Sequence, residues 1–154
     1  MDGKFMMKAI ALSLQNIEEG GGPFGAVVVK GDEIVGVGIN RVTANNDPTA
    51  HAEVMAIRDA AGRLGCFDLS DCVIYTSCEP CPMCLGAIYW ARIKKVYYGN
   101  TKHDAARIGF DDGFVYEELG KPLNDRTIAF VQLLPEKAAQ AFELWALKVD
   151  KKRY

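Results

Sequence analysis

Two short segments of the 154-residue sequence gather residue types that can hold and use a metal ion: Thr49-Ala50-His51-Ala52-Glu53 and Cys78-Glu79-Pro80-Cys81-Pro82-Met83-Cys84. One imidazole and two thiolates, from His51, Cys81 and Cys84, make a Cys₂His set suited to one zinc ion, with the fourth tetrahedral position left for water. Cysteines three apart on the first turn of a helix can converge on one ion, and the helix N-terminus favours the thiolate there. Glu53 is not a ligand in this reading. Beside a zinc-bound water it takes that water's proton and passes protons to a substrate nitrogen and its leaving group. Zinc makes this feasible by lowering the pKa of water from about 15.7 to about 7.

The spacing of His51 and Glu53 poses a geometric condition, because residues two apart on a helix flank point in nearly opposite directions. Both reach one metal if it sits off the helix's N-terminal end, so the pattern asks for two helix N-termini aimed at one ion. The competing reading is a closed structural zinc knot, which needs a fourth Cys or His. His103 is the other histidine, and Cys66, Cys72 and Cys78 are the remaining thiols. His103 reads as an exposed loop residue and the three cysteines as small buried hydrophobes. The Gly20-Gly21-Gly22 run lacks the Lys-Ser/Thr of a phosphate cradle and is set aside.

The elements that must position these residues alternate along the chain. Apolar residues at helical spacing from Phe5 predict a first helix ending near Gly20. Residues 24–29 and 34–42, separated by Gly31-Asp32, predict a hairpin. Asp47-Pro48 reads as the start of a helix through His51, Glu53 and Ile57. Strands are expected at 73–76, 95–98 and 127–133, helices at 80–90 and from Pro135 to about Val149, and short helical pieces around Gly109. This alternation predicts a layered α/β domain with a mixed sheet, spanning 1–154 without an internal boundary.

Composition narrows the function class. The chain has 49% hydrophobic and 25% charged residues and a net charge of −2. Its basic residues are scattered, which argues against a nucleic-acid partner and toward a small uncharged substrate. Five cysteines, an odd number, point to metal or buried thiols rather than disulfides. No apolar run has membrane-spanning length, and Met1-Asp2-Gly3-Lys4 is too polar for a secretory signal, so a cytoplasmic enzyme is expected.

The two segments together spell the H-x-E and P-C-x-x-C pattern of zinc deaminases. The sequence from about Gly21 to Gly99 resembles the cytidine deaminase-like zinc hydrolases. Within them it is most similar to the small bacterial guanine deaminases, on Gly22-Pro23-Phe24-Gly25-Ala26, Asn46–Glu53, Leu85–Arg92, Gly109-Phe110-Asp111-Asp112 and Lys152-Arg153-Tyr154. Arg153 departs from the usual ending of that family. The resemblance implies a three-layer α/β/α cytidine deaminase-like fold around a mixed five-stranded sheet. It also implies one zinc per subunit and hydrolysis of guanine to xanthine and ammonia.

For the substrate it implies that Phe24 packs on the purine ring and that Asn40 uses its amide on the purine edge. Asp112, with Asp111 as competitor, accepts from the base's N–H donors. Ala52 lies at the substrate, and Trp90 and Tyr154 help close the pocket. A homodimer is expected, with C-terminal segments exchanged so that Tyr154 reaches the neighbouring subunit's site. The same zinc centre would serve another base or nucleoside, such as guanosine, cytosine or transfer-RNA adenosine. A structural zinc module is the alternative outside catalysis.

Overall fold

Runs rich in Val, Ile and Tyr form the strands of one sheet, and the small residues between them decide how closely helices can approach it. In the computed structural model, which describes residues 2–154, the strands are β1 (Gly25–Lys30), β2 (Glu33–Ile39), β3 (Cys72–Cys78) and β4 (Val96–Asn100). The helices are α1 (Asp2–Glu18), α2 (Val42–Asn45), α3 (Ala52–Leu64), α4 (Pro82–Trp90), α5 (Lys102–Arg107), α6 (Gly113–Gly120) and α7 (Pro135–Leu147). The sheet runs β2-β1-β3-β4. β1 is antiparallel to both β2 and β3, whereas β3 and β4 are parallel.

The two-residue alternation of β1 splits the core. Val27 and Val29 join Phe5, Ala9 and Tyr75 on the α1 face. Ala26 and Val28 join Ala52, Ala56, Ala60, Ile74 and Ile88 on the α3 and α4 face. β1 is thus buried on both faces, which its continuous apolar run requires.

α3 lies against the backbone of β2. A Cβ at Gly38 would come within 2.0 Å of the Ala52 carbonyl oxygen, and one at Gly36 within 2.4 Å of that of Ala56. Glycines on the strand and alanines on the helix therefore set the separation, and any larger side chain would lift α3 and the residues at its N-terminus off the sheet.

The strand directions gather four chain segments at one edge of the sheet. Gly25 pairs with Ile39, Ala26 with Thr76, and Cys78 with Asn100. The start of β1 and the ends of β2, β3 and β4 consequently lie side by side, and Phe24, Asn40, Glu79 and Thr101 continue from them.

Three sequence expectations are corrected. The hairpin's second strand ends at Ile39, and Val42–Asn45 is helical. The helix expected from Asp47-Pro48 begins at Ala52 with His51 as its N-cap. Asp47 closes a turn instead, its Oδ1 accepting from the Thr49 backbone N–H at 2.8 Å and the Thr49 hydroxyl at 2.7 Å. The third concerns the sheet, which has four strands among the described residues, not five. Residues 127–133 belong to a second compact unit, Gly113–Tyr154, that holds α6, a 3₁₀ turn at Leu123–Asp125 and α7. Strand-like sequence there has no ladder partner within its own unit, and a strand without one cannot form. Glu118 organises this unit locally, accepting from the Thr127 backbone N–H at 2.7 Å.

Candidate metal and catalytic site

Both metal-binding segments end in the same local structure. His51 (φ −72°, ψ 155°) and Cys81 (φ −66°, ψ 168°) are extended N-cap residues, of α3 and α4 respectively. Pro82 opens α4 with φ already fixed for a helix and no N–H to satisfy. Glu53 and Cys84 follow in the first turns. The condition set by the His51–Glu53 spacing is therefore met: the N-cap residue points off the helix end while Glu53 points inward.

The three predicted ligands converge. His51 Nδ1 is 3.5 Å from Cys81 Sγ and 3.5 Å from Cys84 Sγ. A tetrahedral zinc with its usual bond lengths, about 2.3 Å to sulfur and about 2.0 Å to nitrogen, has N···S edges of about 3.5 Å. The donor set and its spacing fit zinc. Among the described residues no fourth His or Cys joins this group, so a closed structural knot is not built here. Cys78 donates instead to the Thr101 carbonyl at 3.7 Å, and burial pushes its thiol up to about 11.

Charge within the cluster is divided unevenly. Hydrogen bonding from Cys84, with a further contribution from His51, draws Cys81 down to about 4. Cys84 moves the other way, raised by the Cys81 sulfur beside it and by burial. The hydrogen bond to Cys81 raises His51. One sulfur thus holds a thiolate readily, and a divalent cation supplies the charge that lets the second one join it.

Glu53 is only 6% exposed, and burial raises its carboxyl above the usual range. Its Oε2 accepts from Cys84 at 3.3 Å, and its Oε1 is 3.3 Å from the hydroxyl of Thr76. Thr76, 1% exposed, also lies 2.9 Å from the Cys78 carbonyl, so its single hydrogen is shared between the two acceptors. A buried carboxyl raised by that burial and held by the Thr76 hydroxyl beside the ligand group suits a proton shuttle. Thr76 was not foreseen. The signal for it was present: Thr76-Ser77 interrupts a buried strand with two polar residues.

The cavity in front of these groups has a volume of about 630 Å³ and is lined by His51, Glu53 and Cys81 together with Phe24, Asn40 and Asp112. Phe24 meets the edge of Phe110, with ring centroids 4.9 Å apart at 88°. The Asn40 Oδ1 accepts from the Val42 backbone N–H at 3.2 Å, which commits its acceptor and leaves the Nδ2 donors for a ligand. Asp112 is half-buried and raised by that burial, whereas Asp111, also on the wall, is exposed. Glu79 and Lys102 line the cavity too, and the Glu79 carboxylate accepts from the Lys102 backbone N–H at 2.9 Å, tying α5 to the metal loop.

Two of the expected contacts do not line this cavity. Ala52 is fully buried in the core under β2. Trp90, at the end of α4, is 71% exposed and does not line this cavity. Tyr154 is 75% exposed in the C-terminal unit.

A Cys₂His group beside a buried glutamate, at the edge of a mixed sheet, defines a zinc-dependent hydrolytic deaminase. The chain belongs to the family described as cytidine and deoxycytidylate deaminase zinc-binding region, whose model matches residues 1–100. It is 52% identical over 151 residues to a guanine deaminase of Bacillus subtilis, covering 97% of each chain. The solved structure of guanine deaminase from that organism superposes with a TM-score of 0.95, covering 99% of this chain and 98% of the other. A transfer-RNA-specific adenosine deaminase from Haemophilus influenzae is 38% identical over 72% of this chain and 68% of its own length.

Proposed function

We propose that this deaminase converts guanine to xanthine and ammonia. The single observation carrying the choice of base is the complementary polarity of the cavity wall: Asn40 offers donors and Asp112 a carboxylate. Guanine presents N–H donors at its 1- and 2-positions and acceptors at O6 and the ring nitrogens. Adenine has no N–H at position 1, so the same carboxylate would meet an acceptor there. Similarity to guanine deaminase over nearly the whole chain supports the same reading.

His51, Cys81 and Cys84 hold the zinc, which when bound supplies an activated water at neutral pH. Glu53 would carry one proton of the water to the ring nitrogen and the second, from the hydroxyl once it is bonded to carbon, to the departing amine, which leaves as ammonia. Thr76 holds the carboxylate in place. Phe24 packs on the purine plane, Asn40 and Asp112 read its edges, and Tyr154 serves to close the pocket of a neighbouring subunit. The partner is a small-molecule purine rather than a nucleic acid or a membrane. Among the described residues no helix is long and apolar enough to cross a membrane, and the five free cysteines suit the reducing cytoplasm.

The two compact units act as one deaminase domain, in a homodimer that exchanges C-terminal segments. The second unit supports this: Ile128, Val131, Leu133, Phe142, Leu144 and Leu147 are each at least 70% exposed, apolar surface that a second copy would cover.

Incubating the zinc-loaded protein with guanine, and following xanthine and ammonia, tests the substrate. Stoichiometric release of both is expected. Ammonia from guanosine, cytosine or adenosine in transfer RNA, with none from guanine, would overturn it.

A further inference from the structure

The end of α1 carries an amide that is buried more deeply than its place in an amphipathic helix requires. Asn16 is 1% exposed. Its Nδ2 donates to the Gly22 carbonyl at 2.8 Å and to the Asn40 carbonyl at 2.9 Å, while its Oδ1 is buried without a hydrogen-bond partner. Leaving one end of a buried amide unsatisfied is unfavourable, and a residue that merely filled space would be apolar.

The two carbonyls it joins belong to the two segments that flank the cavity's recognition wall. The Gly22 carbonyl also accepts from the Phe24 N–H at 2.9 Å, and the Asn40 N–H donates to the Phe24 carbonyl at 3.2 Å. Asn16, Gly22, Phe24 and Asn40 therefore close a ring of hydrogen bonds containing both wall residues. Gly21 is shaped to this arrangement, since a Cβ there would lie 2.4 Å from Asn16 Nδ2. The Asn16 side chain bonds to this wall and not to His51, Glu53, Cys81 or Cys84.

We propose that Asn16 is a positioning residue for base recognition, locking Phe24 and Asn40 at the separation that grips the substrate without touching it. The assignment rests on Asn40 contacting the base, as in the function proposed above. Its loss weakens substrate binding and leaves the chemical step intact, a KM effect rather than a kcat effect.

The test is a double-mutant cycle on the zinc-loaded protein. Asn16→Asp keeps the side chain's volume and removes both donors, and Asn16→Ala removes the amide altogether. Each is measured in the native and the Asn40→Ala backgrounds, with zinc content recorded. In the native background KM for guanine rises about ten- to hundredfold with kcat nearly unchanged. In the Asn40→Ala background the same substitution has a clearly smaller effect, because one of the two side chains it positions is gone. An equal rise in both backgrounds, a fall in kcat, or loss of zinc or of cooperative folding in both variants would overturn the proposal. A native protein inactive on guanine but active on another base refutes only the choice of base, and the cycle is then run on that base.

Discussion

His51 and Cys81 are structural counterparts: each is the extended residue immediately before a helix, and His51 Nδ1 lies 3.5 Å from Cys81 Sγ. Two helix N-termini thus meet at the metal position and contribute one ligand each from the same place in the helix. Removing one of the pair leaves two donors. Cys81→Ala should lower zinc content well below one ion per chain and abolish turnover. Full retention of metal by elemental analysis would contradict its role as a ligand.

Glu53 is separable from metal binding, because its carboxylate contacts Cys84 and Thr76 rather than completing the ligand triangle. Glu53→Gln should keep zinc and fold while losing about 10²–10⁴-fold in kcat. An unchanged rate would refute the proton shuttle.

Thr76 holds one carboxylate oxygen of Glu53 and shares the same hydrogen with the Cys78 carbonyl. Thr76→Val, nearly isosteric, should lower kcat about tenfold with KM and zinc content unchanged, and Thr76→Ser should restore most of it. Equal activity of the Val variant would show that Glu53 is held by packing alone.

Asp68 gives the protein part of its acid sensitivity. Hydrogen bonds from Ser70 and from Arg92, the latter at 2.6 Å, hold its carboxyl at about 2, below the ordinary 3.8. A folded-state pKa below the unfolded one stabilises the fold above the unfolded value and is lost as pH falls through the folded one. Asp68→Asn should therefore be less stable than the native protein by a constant amount above about pH 4. The gap should close between about 4 and about 2, as read by denaturant titration at each pH. A gap that is independent of pH down to about 2 would rule out this linkage.

The C-terminal tail is expected to act as a lid. Deleting 151–154 should impair turnover without removing zinc, and wild-type kinetics after truncation would eliminate that role.

The metal ligands were legible because their chemistry is written in residue type and short spacing, and neither depends on where the rest of the chain goes. The hairpin and α1 were legible for a similar reason, since turn glycines and apolar periodicity act locally. Asp47-Pro48 misled because an Asp that accepts from Thr49 closes a turn with the same atoms it would use to cap a helix. Residues 127–133 misled because β propensity is a property of side chains, whereas a strand is a property of a pair. Asn16 was invisible for the opposite reason, and of Thr76 only its polarity within a buried strand showed. Each is a common polar residue whose role appears only when distant segments bring carbonyls or a carboxylate to it.

The contact between Gly36, Gly38 and the alanines of α3 separates the enzyme into a part that resists change and a part that invites it. His51 and Glu53 ride on a helix seated at minimum distance from the sheet, where almost any enlargement displaces them together. The residues proposed to choose the base sit on the loops at 20–24, 40–41 and 109–112, which can be rebuilt without lifting that helix. Diversifying those three loops alone should yield descendants with new preferences and the old catalytic centre, the division of labour by which one scaffold comes to serve many nucleobases.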